Sequence, residues 1–382
     1  MAFIKHHFDF AGDTAGTSHR LTYYVVGPEE AETQIFLQAG LHADEQPGML
    51  ILHHLLDKLE TADAAGALRA RFIVFPVVNP LGLTHVQFHR HQGRYHPSIG
   101  LNYNRGWPNL AEILLASAPD LAQHLTGSRT ENMRYVRSKL AELLDTQTAV
   151  TALDRLRHFI MQQALWSDMV LDLHCDDMAT NHIYLVPQLW PDVADLARWM
   201  GSQATLTAED SGGGSFDEVW PGLWRQLAAS CPDADLPDHL LAATLEYRGQ
   251  ADVSDALNAQ DAENLMGFFI GRGLIAMPSP PLPPAVPEAT PLNATEIIRV
   301  NQPGLIAYHC ALGQHVEAGA HIADLIDMDG AQMMRRRTAI YAATSGIIFS
   351  LNSSKYVWPG TSIAKIAGAE ALASRGDYLL ED

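Results

Sequence analysis

The chain has 382 residues, and its 25 Lys+Arg against 44 Asp+Glu give a formal net charge of −19 at pH 7. That balance argues against nucleic acid and against an anionic membrane as partners, because both require a basic face. With 47% hydrophobic and 18% charged residues the chain can bury a large core, and its length implies two or three domains. The three cysteines, Cys175, Cys231 and Cys310, are far apart and odd in number. They read as free thiols in a reducing cytoplasm. The N-terminal MAFIKHHFDF lacks a signal-type apolar core, and no run reaches the roughly 18 apolar residues of a membrane span.

In chain order, Thr33–Ala39 predicts a strand ending at Gly40, and Pro47 opens a helical stretch, GMLILHHLLDKLE. Arg71–Val78 is a buried-strand run stopped by Asn79-Pro80. The Ala/Leu/Gln-rich stretch of about 109–167 predicts a helical insertion, followed by strands at Asp168–Leu173, His182–Val186 and Leu241–Tyr247. Strand–helix–strand order implies right-handed crossovers and an α/β fold: a mixed, largely parallel sheet flanked by helices. The proline cluster MPSPPLPPAVPEATP at 277–291 reads as an extended, semi-rigid linker. It separates a domain at 1–276 from a segment at 292–382. That segment consists of short apolar runs between glycines, a pattern of a small all-β sandwich or barrel.

The informative motif is Gly40-Leu41-His42-Ala43-Asp44-Glu45, which places His-x-x-Glu directly after a strand. Ligand sites of open α/β sheets lie at that carboxyl edge. An imidazole and a carboxylate three residues apart on a turn can grip one zinc ion from the same side. Three more polar clusters fall at equivalent places: His174 in Asp172-Leu173-His174, Glu246 closing LAATLEYRG, and Asn104-Arg105 in LNYNRGWPN. His42, Glu45 and His174 would supply three ligands to one zinc ion and leave a fourth position for water. Asp172 would orient His174. Glu246 would carry the proton from that water to a leaving amine. Arginine is wanted twice, for the tetrahedral oxyanion and for a bidentate grip on a substrate carboxylate.

The segments GLHADEQPG, NPLG, RYHPSIGLNYNRGWP, DLH and TLEYRG resemble the succinylglutamate desuccinylase/aspartoacylase branch of zinc carboxypeptidase-like hydrolases, over most of residues 33–270. The linker and Gly-rich tail resemble that family's C-terminal β-domain, a barrel-sandwich hybrid. The resemblance implies that His42, Glu45 and His174 bind zinc and that Glu246 is base and proton shuttle. It also implies that Arg94 assists the oxyanion while Asn104 and Arg105 bind the substrate's carboxylate. Where the family writes Asp-Leu-Asn-Arg, this chain has Asn102-Tyr103-Asn104-Arg105, which alters the local charge. The loop after Arg94 is about one residue longer than in the family, so Arg90 competes with it for the oxyanion.

Other features have plainer readings. His85, His89, His91 and His96 alternate without a carboxylate among them and suit a solvated loop or strand face. His53 and His54 fall mid-helix, Arg335–Arg337 suits an exposed turn, and Cys175 suits small buried packing. Gly212–Gly214 offers a flexible loop but no GK[ST] for a phosphate. The expected activity is hydrolysis of the amide of a small anionic N-acyl amino acid; the alternative is a metallocarboxypeptidase acting on peptides. The tail also resembles biotinyl and lipoyl carriers, yet no lysine occurs between Asp327 and Ile340 to bear a prosthetic group. A carrier or a non-catalytic homologue therefore ranks below an enzyme. The tail would shape the site entrance or a contact within a homo-oligomer.

Overall fold

The structure, a computed structural model, describes residues 3–329, 336–376 and 378–380. Its frame is a nine-stranded mixed sheet, with strand order β1-β2-β4-β3-β7-β11-β9-β10-β12. These strands are β1 (Ile4–Ala11), β2 (Ser18–Val26), β3 (Gln34–Ala39), β4 (Arg71–Phe75), β7 (Met169–Asp176), β9 (His182–Leu185), β10 (Ala204–Thr207), β11 (Leu241–Gly249) and β12 (Thr290–Pro291). The four central strands β4, β3, β7 and β11 run parallel, so their carboxyl ends share one edge. A two-stranded hairpin, β5 (Val86–Gln87) and β6 (Arg90–His91), stands apart from the sheet.

The central strands alternate their apolar residues between two cores, as the two-residue period of a strand requires. Phe36, Phe75, Val170 and Ala242 face one side. There they meet α3 (Leu110–Ser117), α5 (Arg129–Thr146), α6 (Ala152–Ala164) and α8 (Phe216–Ser230). Ile35, Leu37, Phe72, Leu171, Leu173 and Leu245 face the other, under α1 (Pro47–Ala64), α7 (Ala194–Met200) and α9 (Asp255–Gly271). The remaining α-helices among the described residues are the short α2 (Pro80–Leu83) and α4 (Leu121–His124). Truncating a fully buried leucine such as Leu171 costs about 2–5 kcal/mol.

After β12 the chain forms two antiparallel sheets around a separate apolar core that includes Ile298, Ile322, Ile348 and Ile366. One sheet holds β13 (Thr295–Arg299), β20 (Ser362–Gly368), β18 (Gly346–Leu351) and β15 (His315–Val316). The other holds β17 (Arg337–Tyr341), β16 (His321–Ile326), β14 (Gly304–Tyr308) and β19 (Tyr356–Val357). An α/β layer with a largely parallel centre, joined to a small β-sandwich, is the fold class the sequence implied.

Two strands cross between these parts. The end of the proline stretch, Thr290–Pro291, is the edge strand β12 of the large sheet, a place where proline's missing N–H costs no ladder bond. Conversely β8 (Met178–Ala179), just after β7, pairs with β18 of the sandwich. The segment following His174 is thereby anchored in the C-terminal part. Of the arginine run, Arg336 pairs with Asp327 at 3.0 Å and Arg337 with Asp324 at 3.2 Å, while Arg335 lies outside the described residues. Part of the lysine-free stretch Asp327–Ile340 lies outside them too. Among the described residues no helix is long and apolar enough to cross a membrane.

Candidate metal and active site

Three parallel strands deliver the site. Gly40, at φ 71°, turns the chain out of β3 in a conformation open to glycine. His42 and Glu45 follow on that turn, ahead of α1. His174 is near the end of β7, and Glu246 lies opposite it in register on β11. All three metal-ligand candidates are buried, at 3%, 3% and 2% exposure for His42, Glu45 and His174. A donor atom from each lies within 4.8 Å of the others.

Glu45 sits between the two imidazoles. Its Oε1 is 2.9 Å from His42 Nδ1 and its Oε2 is 2.8 Å from His174 Nδ1. Arg94 Nη1 donates to Oε1 at 2.9 Å, and the Cys175 backbone N–H donates to Oε2 at 3.2 Å. On the far side of His42, Nε2 is 2.7 Å from Asn102 Oδ1. That same atom accepts the Asn104 backbone N–H at 2.9 Å, which identifies it as the oxygen. His42 Nε2 therefore carries the proton.

Burial first, then the Arg94 charge, pushes the His42 imidazole down to about 4, so the ring is neutral at pH 7. A neutral ring with its proton on Nε2 presents a bare lone pair at Nδ1, aimed at a carboxylate oxygen 2.9 Å away. Two acceptors this close in a buried site need a cation between them. Arg94, also 3.3 Å from Nδ1, supplies part of that charge. Two imidazole nitrogens and a carboxylate are the donors zinc favours, so the residues fit the ion the motif implied.

His174 has the outer support expected of a ligand: Nε2 is 3.0 Å from Asp172 Oδ2. Burial opposes its protonation, but Asp172 and Glu45 outweigh burial and hold it well above the ordinary histidine range. Burial raises Glu45 itself, yet His42 and His174 beside it hold its carboxyl well below the usual range. Glu246 is different: burial, then the Glu45 charge, pushes it up to about 8, and its Oε2 is buried with no hydrogen-bond partner. A carboxyl that exchanges its proton near neutral pH suits acid–base work.

His42, Glu45, Arg94, His174 and Glu246 line one pocket of about 820 Å³, counted out to its open mouth. Arg94 reaches it, whereas Arg90 lies on the exposed β5–β6 hairpin. Asn104 and Arg105 also line it; Asn104 Oδ1 accepts the Phe216 N–H at 2.8 Å, and Arg105 Nη1 donates to the Asn104 carbonyl at 2.8 Å. The Gly212–Gly214 loop packs against this corner through Gly213 O to Gly106 N and Gly214 O to Trp107 N, both 2.9 Å. A Cβ on Gly213 would lie 2.7 Å from Arg105 Cδ, so glycine lets the loop approach. Tyr184 lines the pocket, Tyr247 is buried outside its lining, and Arg248 turns away to pair with Asp261. The four histidines after Thr84 form no metal-type cluster among the described residues.

Apart from Asp172, the following contributors are absent from the sequence reading. Lys365 on β20 enters the pocket and pairs with Asp176 at 2.7 Å, and Leu380 lines it from the chain's end. Asp217 and Glu218, at the start of α8, add two carboxylates. Gln38, Asp172 and Thr244 form a buried polar row in register across β3, β7 and β11. Of these only Asp172 carried a local signal, through its spacing from His174. The others reach the site by tertiary packing.

Residues 31–218 match the model of the succinylglutamate desuccinylase/aspartoacylase catalytic domain. No curated protein matches the chain in sequence. A candidate succinylglutamate desuccinylase/aspartoacylase from Shewanella frigidimarina NCIMB 400 has a similar structure, with TM-score 0.81, 24% identity, and coverage of 96% of this chain and 97% of its own. A candidate family protein of Shewanella amazonensis SB2B also scores 0.81 at 24% identity, covering 95% and 98%. The product-bound ectoine utilization protein EutE (DoeB) of Ruegeria pomeroyi scores 0.63 at 17% identity, covering 96% and 95%. At these identities the likeness is one of fold, and it extends through the C-terminal sandwich. With the family match and the shared fold in hand, residues 31–218 form a catalytic domain of the succinylglutamate desuccinylase/aspartoacylase family, and the chain as a whole shares the fold of the similar structures.

Proposed function

We propose that the protein hydrolyses the amide bond of a small N-acyl amino acid, using one zinc ion held by His42, Glu45 and His174. The observation that carries this reading is the bare His42 Nδ1 facing Glu45 Oε1 at 2.9 Å, with His174 on the other carboxylate oxygen. When bound, the ion supplies a Lewis acid that polarises the scissile carbonyl and acidifies the attacking water.

The chain's own residues do the rest. Glu246, opposite His174, removes the proton from the attacking water and delivers it to the departing nitrogen. That proton releases the amine; the acid product keeps the water oxygen and gives its remaining proton to the amine, leaving a carboxylate and an ammonium. Arg94 stands beside the triad and stabilises the negative oxygen of the tetrahedral species. Asn104 and Arg105 hold the substrate's carboxylate at the pocket's corner and so aim the amide at Glu246. The walls favour a small substrate over a polypeptide, because Lys365 and Leu380 of the C-terminal part close in on the lining.

The test is a panel of N-acetyl, N-succinyl and longer-acyl amino acids alongside peptides with free C-termini, with metal content measured in the same preparations. Release of the acyl acid from some of the former and no trimming of the latter supports the proposal. Trimming of peptides alone would replace it with a carboxypeptidase.

A further inference from the structure

A second cluster of two histidines and one carboxylate lies on the C-terminal sandwich. His309 follows β14, and His321 and Asp324 belong to β16, its antiparallel neighbour. The His309 backbone N–H donates to the Ile322 carbonyl at 2.8 Å, which fixes His309 across from the start of β16. In a regular strand His321 and Asp324, three apart, would project to opposite faces. The pairing of β16 with β17 breaks between His321 and Ala323, a β-bulge that shifts the phase by one residue. Ile322 turns into the core, while His321 and Asp324 come out on one face.

The side chains then converge. The His309 and His321 rings stack with centroids 4.2 Å apart and planes inclined by 30°. Their Nε2 atoms reach the two oxygens of one carboxylate: His309 to Asp324 Oδ2 at 3.1 Å and His321 to Asp324 Oδ1 at 2.8 Å. A donor atom from each residue lies within 4.8 Å of the others. The histidine side chains are 42% and 37% exposed, which leaves an entry path, while that of Asp324 is 12% exposed.

We infer that His309, His321 and Asp324 form a second metal site, specific for a borderline divalent transition ion such as zinc. Two imidazole nitrogens and a single carboxylate oxygen select such ions over magnesium or calcium, which require more oxygens. Binding needs each ring to bear its proton on Nδ1 and none on Nε2, freeing both Nε2 lone pairs toward the ion. Asp324 then exchanges two hydrogen bonds for one coordinate bond, and water completes the shell. Arg337, whose Nη1 is 3.2 Å from Asp324 Oδ2, is the competing cation. Its side chain is half exposed and can swing into solvent.

The test uses the full chain, stripped of metal and titrated with zinc chloride against a chromophoric chelator. The unmodified protein should bind two equivalents and the His309→Ala/His321→Ala protein one, with the first equivalent and hydrolysis unchanged. Asp324→Asn, which keeps the side chain's size, should weaken the second equivalent about tenfold or more. Arg337→Gln should tighten it severalfold. Circular dichroism of each variant reports whether the sandwich is intact. Equal binding by the unmodified and doubly substituted proteins overturns the inference. So does a second equivalent that Asp324→Asn and Arg337→Gln leave unmoved. Loss of the first equivalent alone would strike the hydrolase reading and leave this site standing.

Discussion

Among the described residues there are two metal-type clusters made of two histidines and one acid, in opposite settings. At the carboxyl edge of the large sheet, Glu45 is 3% exposed and its two histidines are equally enclosed. On the sandwich, the paired histidines of Asp324 are open to water. The buried cluster cannot satisfy itself. Asn102 takes the one proton of the His42 ring, and the lone pair left at Nδ1 confronts a carboxylate oxygen. The exposed cluster can, because each ring donates an N–H to its own oxygen of Asp324, and side-chain hydrogen bonds, His309's first, draw that carboxyl down to about 2. Burial therefore sets how strongly a cluster calls for a cation, while composition sets only which cation fits.

The largest effect that can break this contrast is chemical. Glu246→Gln should lower turnover by about 10²–10⁴-fold while leaving bound zinc unchanged, measured by steady-state kinetics and metal analysis. Persistent turnover would remove Glu246 from its role. Glu45→Gln should come next: it strips a ligand and the partner of Arg94, so zinc affinity should fall by more than about a hundredfold, with activity lost in proportion. Asn102→Ala removes only the acceptor behind His42, and its expected cost is about 10–100-fold in zinc affinity. At the exposed cluster, His321→Ala should abolish the second zinc equivalent and leave hydrolysis and the thermal midpoint nearly unchanged.

The smallest effect concerns pH. Burial first, then Asp217, pushes Glu218 up to about 7. The folded state thus binds this proton more tightly than the unfolded chain. Its contribution is intact below about 4.5 and is lost as pH rises through about 7. Glu218→Gln should therefore raise the thermal midpoint by a few degrees at pH 8 and scarcely change it at pH 4. A stabilisation greater at pH 4 than at pH 8 would contradict that assignment.

What the sequence made legible follows from how each feature is built. Apolar runs such as RFIVF and MVLDL announced β4 and β7, and Pro47 announced α1. The N-terminal hairpin of β1 and β2 escaped notice, because IKHHFDFA carries polar residues on a mostly exposed edge. His42, Glu45, His174 and Glu246 could be gathered from sequence since parallel strands bring their ends to one edge without further information. Lys365, Leu380 and Glu218 could not, as they arrive from elements whose packing no local pattern encodes. His321 and Asp324 were hidden for another reason. Their spacing places them on opposite faces of any regular strand, and only the bulge at Ile322 unites them.

The central claim is that the buried cluster holds the ion at which an amide is cut. Titrating metal-stripped His309→Ala/His321→Ala protein with zinc, while following N-acyl amino acid hydrolysis, isolates that cluster. Activity rising in step with bound zinc and levelling at one equivalent is the predicted result. Full hydrolysis in the stripped protein, or one tightly bound equivalent that brings no hydrolysis, would contradict it.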